Sequence, residues 1–311
     1  MSLQGKMFRL KGRSKTKKQK SLNSEEVVRG LKVLITGCQG QLGKELCRQI
    51  DKLNQVQKKL EVLATDFKQL DISDAQQVQN TITEEQPEII INTAAFTNVD
   101  ACETEELKAF RINAHGARNL SVAAYAIGAK IVQVSTDYVY DGIGTVPKRE
   151  CDPVNPLNVY GKSKALGEQL VMATNPRHFI VRTAWLYGDG HNFVRTMLKL
   201  ATERDEIRVV NDQIGSPTST VDLARCILNL IQTDHYGIYH GTCEGECSWY
   251  EFAKRIFAIK GINITIIPIS SGELNQTAKR PAYSVLENFM LELIGLNTFR
   301  KWEVALAEYL T

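Results

Sequence analysis

Long apolar runs are missing from this sequence of 311 residues. No stretch approaches the roughly 20 consecutive apolar residues that a membrane-spanning helix needs. The N-terminus is basic and polar, and it lacks the apolar segment of a secretory signal peptide. Cysteine is sparse and odd in number, with seven residues that mostly lie within apolar or helical patterns. We therefore expect a soluble cytoplasmic protein with reduced thiols rather than a disulfide framework.

Acidic residues are absent from the first 20 positions, which carry eight lysines and arginines. Removing these eight charges from the formal net charge of +3 leaves −5, so the rest of the chain is mildly acidic. A basic head of this kind could contact nucleic acid or an anionic surface. A disordered leader is the simpler interpretation. We predict such a leader over residues 1–30, and neither a nucleic-acid partner nor a membrane partner.

A glycine-rich turn follows the first strongly apolar run. The run ends at Thr36, and Gly37, Gly40 and Gly43 follow at three-residue spacing before a helix-like segment. In such a pattern the first glycine permits a tight turn and the second lets the backbone approach a pyrophosphate. The third lets the helix pack closely. Backbone N–H groups and the positive end of the helix dipole would then face the phosphates. A simple strand-to-helix turn is the alternative.

An acidic residue follows the second apolar run, 60–64. Asp66 lies near the distance from the glycines at which a carboxylate usually accepts the hydroxyls of the adenosine ribose. A carboxylate there repels a 2′-phosphate, so we predict NADH as the preferred cofactor, with NADPH possible. Lys68 is close enough to soften that preference. A surface turn residue is the alternative interpretation of Asp66.

Strand-like and helix-like segments alternate over residues 31–182. The predicted strands are 32–36, 60–66, 88–92, 130–135 and 178–183, and the predicted helices are 41–53, 74–84, 104–127 and 156–174. Nearly all-apolar strands between helices predict a doubly wound parallel α/β sheet of the Rossmann type. The pattern loosens after residue 183. We predict a dinucleotide-binding domain over 31–184 with about 209–234, and a smaller, discontinuous α/β substrate lobe over 185–208 and 235–311.

A tyrosine and a lysine lie one helical turn apart, at Tyr160 and Lys164. An ammonium group near a phenol stabilises the phenolate and lowers the tyrosine's pKa, and the lysine could also hold a nicotinamide ribose. The preceding predicted strand, 130–135, leads into Ser135, Thr136 and Asp137, and a hydroxyl at this strand end can converge with the tyrosine on one carbonyl oxygen. The same spacing recurs at Tyr250 and Lys254, beyond the dinucleotide half, which we interpret as ordinary helix residues.

Several motifs in one order resemble the extended short-chain dehydrogenase/reductase superfamily. Besides the glycine turn, these are NTAAFTNVD (92–100), STDYVY (135–140) and PLNVYGKSK (156–164). Within that superfamily the sequence from about residue 31 to its end is similar to the dTDP-4-dehydrorhamnose reductase family. The supporting stretches are RTAWLY (182–187), NF (192–193), VNDQIGSPT (210–218), GIYH (237–240), SWYEF (248–252) and RP (280–281).

The resemblance implies a reaction and three catalytic residues. NADH or NADPH would deliver hydride to the C4 ketone of dTDP-4-dehydro-6-deoxy-L-mannose, giving dTDP-L-rhamnose for cell-surface polysaccharide. Tyr160 would protonate the new alkoxide, Lys164 would lower the pKa of that tyrosine and bind the ribose, and Thr136 would hydrogen-bond the carbonyl. Asn113 matches an asparagine that supports the catalytic region in this superfamily.

The resemblance also implies the binding residues. The cofactor set is Gly37, Gly40, Gln41, Leu42, Gly43, Asp66, Asp71, Ile72, Ala94, Ala95, Phe96, Thr97, Tyr160 and Lys164. The substrate set is Thr136, Asp137, Trp185 and Arg280. Arg280 would hold the diphosphate as a bidentate donor, and a surface arginine before a turn proline is the alternative. The loop 211–218 would shape the pocket, or its residues are turn formers.

The sequence also suggests two alternative functions and two possible metal sites. One alternative is a reductase or epimerase of another nucleotide sugar, and another is a non-catalytic regulatory subunit like that of methionine adenosyltransferase.

Some members of the reductase family dimerise through magnesium held by glutamates. Glu45 matches one of these glutamates, but Val221 occupies the position of a second. We therefore expect a monomer or weak homodimer without a metal. His240, Cys243 and Cys247 lack a fourth zinc ligand, and we interpret them as buried small residues and a surface histidine.

Overall fold

The fold is described by a computed structural model for residues 30–57, 60–274 and 276–311, so the basic head of residues 1–29 lies outside the described residues. The strands are β1 (Leu31–Thr36), β2 (Leu60–Thr65), β3 (Ile89–Asn92), β4 (Lys130–Thr136), β5 (His178–Thr183), β6 (Leu186–Tyr187), β7 (Glu206–Val210), β8 (Ile214–Gly215), β9 (Thr218–Ser219), β10 (Gly237–His240), β11 (Cys247–Ser248) and β12 (Thr265–Ile269). The α-helices are α1 (Gln41–Gln57), α2 (Ala75–Glu85), α3 (Val99–Thr104), α4 (Glu106–Phe110), α5 (Ala117–Ala126), α6 (Val159–Thr174), α7 (Phe193–Glu203), α8 (Thr220–Leu230), α9 (Trp249–Lys260), α10 (Phe289–Leu293) and α11 (Trp302–Leu310). Among these helices none is long and apolar enough to cross a membrane.

Six strands form one parallel sheet in the order β2-β1-β3-β4-β5-β10. The chain winds outward in both directions from β1, which pairs with β2 on one side and with β3 on the other. The order therefore reverses between β1 and β3, and a ligand of a doubly wound sheet binds outside the carboxyl ends of the strands at such a point. The predicted doubly wound parallel sheet is confirmed.

The apolar strands of this sheet are buried on both faces. In β1, Val33 and Ile35 pack into one core with α1 and α8, whereas Leu34 packs into a second core with α2 and α5. Alternate side chains of a strand point to opposite faces. A strand covered by helices on both faces therefore needs consecutive apolar residues, as β1 has at Val33, Leu34 and Ile35.

The remaining strands form three small pairs. β7 and β12 pair in parallel, β8 and β11 pair antiparallel, and β6 and β9 pair in parallel. β10 lies within the range 235–311 that the sequence assigned to the substrate lobe, yet it is the edge strand of the main sheet, because it pairs with β5. That predicted boundary is therefore wrong for β10, and the division into two domains otherwise stays a prediction.

Local chemistry sets several helix boundaries. α2 begins after Asp74, whose side chain accepts hydrogen bonds from the backbone of Gln76 and Gln77, as a helix N-cap does. The predicted start of α6 at residue 156 is wrong, because Asn158 caps the helix by accepting from the Gly161 N–H group. The predicted helix 104–127 is interrupted by a π-helical turn, Arg111–Gly116, between α4 and α5.

Candidate active site

A cleft of about 700 Å³ lies at the carboxyl ends of the central strands. Its walls come from the segments that follow β2, β1, β3, β4 and β5. The strand order places these segments side by side. At about 4.8 Å between neighbouring strands, the cleft spans about 19 Å from β2 to β5. The cleft is therefore long enough for an extended ligand that reaches across the switch point.

The glycine turn forms the floor of the cleft near β1. Gly37 has a φ of +69°, and a Cβ atom there would lie 2.8 Å from the backbone of Ala94. A Cβ atom on Gly43 would lie 2.4 Å from the carbonyl oxygen of Gly37. Gly40 and Gln41, where α1 begins, line the cleft. Because these glycines have no side chains, backbone atoms line the floor and leave space above it. Glycine turns of this kind accept a pyrophosphate in that space.

Most of the predicted cofactor and substrate residues line this cleft. The exceptions are Gly43, Asp66, Phe96 and Arg280. Gly43 instead packs beneath the turn, as described above. Asp66 follows β2, where its carboxylate accepts a hydrogen bond of 2.8 Å from the backbone N–H of Lys68. The neighbouring Phe67 lines the cleft in its place. Asp66 is therefore at the rim, beside the cleft rather than inside it.

Phe96 supports the cleft through its backbone. Its N–H donates to the Asn113 side-chain oxygen at 2.8 Å, and its carbonyl accepts from the Asn113 amide nitrogen at 3.0 Å. The same amide nitrogen donates to the Ser163 hydroxyl on α6. Asn113 lies in the π-helical turn and is buried. It thereby ties the segment after β3 to the helix that carries Tyr160, a supporting position like the one the family resemblance implied.

Three candidate catalytic side chains meet at the end of β4. The phenol of Tyr160 lies within hydrogen-bonding reach of the Thr136 hydroxyl, which also donates to Asp137 Oδ1 at 2.9 Å. Burial raises the pKa of Tyr160, and the charge of Asp137 raises it further. A phenol in this setting keeps its proton at neutral pH, as a proton donor must.

Lys164 lies on α6 one helical turn after Tyr160. It is buried, its Nζ donates to the Val134 carbonyl at 2.6 Å, and burial lowers the pKa of its ammonium group to about 8. Burial and the charge of Asp137 raise the pKa of Tyr160, and the expected opposing effect of Lys164 stays a prediction. An ammonium group has three donors, so Lys164 retains capacity for a ligand's hydroxyls.

Asp137 is a buried carboxylate at the same place. Burial raises its pKa to about 6. The Ser284 hydroxyl lies near the group, yet Oδ2 has no hydrogen-bond partner of ordinary geometry among the described residues. A buried polar oxygen without a partner costs free energy. Asp137 therefore offers an acceptor to a ligand that brings a hydroxyl group.

A buried polar network supports the end of β4 from behind. Glu168 on α6 accepts from the Ser135 hydroxyl at 2.5 Å and pairs with Arg182 of β5 at 2.6 Å. Arg182 also donates to the Tyr140 hydroxyl, which contacts His240 Nε2 at 2.9 Å. Every member has a partner, so the network links β4, β5, β10 and α6 without an unpaired charge.

His240 is fully buried, so the expectation of a surface histidine is wrong. Burial and the charge of Arg182 lower the pKa of its ring to about 3. One ring nitrogen contacts the Tyr140 hydroxyl and the other contacts the Glu287 carbonyl. The sulfur of Cys243 contacts Asp222. Both side chains are therefore engaged in hydrogen bonds within the fold.

Two further charged residues have partners that the sequence did not indicate. The Arg280 guanidinium forms a two-pronged ion pair with Asp100, at 2.7 and 3.2 Å. The guanidinium is thus already paired with a carboxylate, and its binding of a diphosphate stays a prediction. Glu45 accepts hydrogen bonds of 2.7 Å from both Arg48 and Gln49, so its carboxylate is engaged within α1.

Some residues that line the cleft were not identified from the sequence. Trp249 stacks on Trp185 with ring centroids 3.4 Å apart, and Tyr138 meets Tyr160 edge to face. Trp249 lies in the SWYEF motif, where the tyrosine–lysine spacing draws attention to Tyr250 and not to the tryptophan. Tyr250 does not line the cleft. The local sequence around Trp249 does not indicate that this side chain lies near the end of β5.

Three features define the class of this protein: the doubly wound sheet, the glycine turn beneath a cleft at the switch point, and the threonine–tyrosine–lysine set beside that cleft. These are the features of a dinucleotide-binding oxidoreductase of the extended short-chain dehydrogenase/reductase type. Comparison with known proteins narrows the class. The family model described as RmlD substrate binding domain matches residues 31–311.

Three similar proteins were found among many. The spore coat polysaccharide biosynthesis protein SpsK of Bacillus subtilis is 48% identical over 280 residues, covering 90% of this chain and 96% of that protein. The crystal structure of a dTDP-4-dehydrorhamnose reductase from Clostridium acetobutylicum is 50% identical with a TM-score of 0.87, covering 89% and 98% of the two chains. That of the Bacillus anthracis dTDP-4-dehydrorhamnose reductase, in complex with NADP, is 44% identical with a TM-score of 0.87, covering 90% and 99%. This chain belongs to the RmlD family, that of the dTDP-4-dehydrorhamnose reductases, and is an NAD(P)H-dependent oxidoreductase.

Proposed function

We propose that this protein reduces the C4 ketone of dTDP-4-dehydro-6-deoxy-L-mannose to dTDP-L-rhamnose, using NADPH or NADH. One observation carries the proposal. The Thr136 hydroxyl, the Tyr160 phenol and the unpartnered Asp137 oxygen converge at the β4 side of a cleft whose floor near β1 is the glycine turn. A carbonyl and a neighbouring hydroxyl of a sugar need this set of donors and acceptors.

The cofactor would lie along the cleft from β2 toward β4. The backbone of Gly37 and Gly40 and the start of α1 suit its pyrophosphate, because a Cβ on Gly37 would collide with the neighbouring backbone. The segment Ala94–Thr97 and the pair Asp71 and Ile72 would flank the adenosine half. The remaining Lys164 donors would hold the nicotinamide ribose. When bound, the nicotinamide supplies the hydride that adds to C4.

Tyr160 supplies the proton that completes the reduction. Thr136 would hydrogen-bond the carbonyl oxygen, and Tyr160 would transfer its phenolic proton to that oxygen as the hydride adds to carbon. The raised pKa of Tyr160 suits this direction, because the residue must begin protonated. One hydride and one proton convert the ketone to a secondary alcohol, so the step balances.

The sugar would be held by groups from β4 and β5. Asp137 Oδ2 would accept a hydrogen bond from a sugar hydroxyl, which gives this buried oxygen a partner, and Trp185 would pack against the ring. Arg280, fixed by Asp100, would add positive charge beside Tyr138 for the diphosphate. We further propose that the protein works in the cytoplasm as a monomer or weak homodimer.

The test is an assay with dTDP-4-dehydrorhamnose generated in place by the preceding enzymes. We expect loss of nicotinamide absorbance only when the sugar nucleotide is present, with dTDP-L-rhamnose as the product. Cofactor binding without consumption would refute the reductase assignment. An epimerized product without net consumption would indicate an epimerase, and no change in the sugar would indicate a binding subunit.

Asp66→Ala is expected to narrow any preference for NADH over NADPH. The carboxylate beyond β2 repels a 2′-phosphate, and two unit charges about 4 Å apart in water interact by about 1 kcal/mol, or about fivefold in affinity. The measurement is the ratio of kcat/KM values for the two cofactors. Lys68→Ala should move that ratio in the opposite direction. An unchanged ratio in the Asp66 variant would place the ribose elsewhere.

A further inference from the structure

Trp185 has an unusual backbone conformation. Its φ is +46°, and in the described part of the chain only Gln86, at the end of α2, is another non-glycine residue with positive φ. A bulky side chain rarely adopts this left-handed region, and it persists there only when the surrounding structure enforces it. Trp185 lies two residues after the end of β5 and lines the cleft. Its strain therefore lies at the candidate active site.

Three contacts hold Trp185 in that conformation. Trp249 stacks on its indole, with the two rings within 7° of parallel. A Cβ atom on Gly215 would lie 2.5 Å from the same indole, so that position has room for glycine alone. The Trp185 carbonyl also accepts a hydrogen bond from the Thr218 N–H group at 3.2 Å. Gly215 ends β8 and Thr218 begins β9.

Trp249 is itself firmly placed. It is the first residue of α9, after the N-cap Ser248, whose side chain donates to Asn211 at 2.8 Å. β11 ends at Ser248 and pairs with β8, which contains Gly215. Phe193 of α7 also packs against Trp249, with ring centroids 4.5 Å apart. Trp249, which stacks on the Trp185 indole, is therefore held by elements outside the six-stranded sheet.

We propose that Trp249 is a positioning residue for the substrate: it clamps Trp185 in its left-handed conformation, so that the indole pair forms an apolar wall at the sugar end of the cleft. The inference rests on the proposed function. A hexose has apolar C–H faces that pack on aromatic rings, while its hydroxyls need polar partners such as Asp137. A fixed wall limits the orientations in which the carbonyl carbon can lie beside Thr136 and Tyr160.

The clamp predicts a specific kinetic change. Trp249→Leu should raise KM for dTDP-4-dehydrorhamnose about tenfold or more, with a smaller fall in kcat and an unchanged Kd for NADPH. The cofactor end is formed by segments after β1, β2 and β3, which Trp249 does not reach. Trp249→Phe retains a ring for stacking and should recover most of the affinity. Tyr250→Phe, the neighbour on α9, is the matched control with wild-type kinetics.

A spectroscopic signature reports the stack without substrate. Two indoles 3.4 Å apart should give an exciton couplet in the circular dichroism of the indole bands. Trp249→Leu should abolish it, and Gly215→Ala should weaken it with both tryptophans present, because the added methyl group displaces Trp185. Gly215→Ala should also raise KM for the sugar nucleotide. Thermal unfolding of each variant confirms that it is folded.

Two results would overturn the inference. One is a wild-type KM in a folded Trp249→Leu variant, and the other is a couplet that survives that substitution. Failure of the proposed function is distinguishable, because the wild-type protein itself would then not consume cofactor with the sugar nucleotide, and the inference about its substrate would be refuted with it.

Discussion

Tyr160→Phe is expected to lower kcat by about 10²- to 10⁴-fold, the usual contribution of a positioned proton donor. The substitution removes only the hydroxyl, and the ring keeps its edge-to-face contact with Tyr138, whose centroid lies 5.8 Å away. NADPH binding should stay near the wild-type value, because the glycine turn and the Lys164 ammonium are untouched. The measurements are steady-state turnover and NADPH titration on the same preparation.

The chain contains its own control for this substitution. Tyr250 and Lys254 repeat the tyrosine–lysine spacing on α9, where the lysine Nζ lies 5.4 Å from the centroid of the tyrosine ring. Tyr250→Phe makes the same chemical change outside the cleft and should leave kcat unaltered. If Tyr160→Phe turned over nearly as fast as the wild type, another group would have to supply the proton.

Arg182→Met is expected to lower the free energy of unfolding by about 3–5 kcal/mol, the usual cost of breaking a buried ion pair. The side chains of Arg182 and Glu168 are 3% and 2% exposed. Without the guanidinium, the Glu168 carboxylate stays buried, and among the described residues the Ser135 hydroxyl is the one hydrogen-bond donor left to it. Urea-induced unfolding, analysed by its midpoint and slope, measures the loss.

An exposed pair provides the matched control for this loss. Arg208 and Glu273 lie 2.6 Å apart, but both side chains are about half exposed. Arg208→Met should cost less than about 1 kcal/mol, because water solvates the remaining charge. Replacing Glu168 by leucine in the Arg182→Met variant should recover much of the stability, since no uncompensated charge remains. Equal midpoints for Arg182→Met and the wild type would contradict a structural role for the pair.

The six-stranded sheet shows how far local patterns reach. The apolar runs of β1 to β5 and the glycine turn were identified from the sequence because they depend on residues close together along the chain. Apolar periodicity and turn chemistry are local properties. β10 was placed in the wrong unit because a four-residue strand, Gly237–His240, carries too little pattern to show that its partner is β5.

The polar partners of the site depend on distances in space. Arg280 pairs with Asp100 across 180 positions of the chain, and no local pattern announces such a pair. The helical spacing of Tyr160 and Lys164 indicates proximity but does not indicate burial. In the fold, burial raises the pKa of the tyrosine, and the lysine bonds the carbonyl of Val134.

The sequence by itself determined the class of sheet, the glycine turn and the threonine, tyrosine and lysine of the candidate catalytic set, because residue type and short spacing carry that information. Only the tertiary structure decided which of these side chains are buried, which charges are paired, and that Trp249 lies against a strained Trp185. Burial and pairing arise when segments far apart in the chain pack together, and their free energies depend on neighbours that no local window contains.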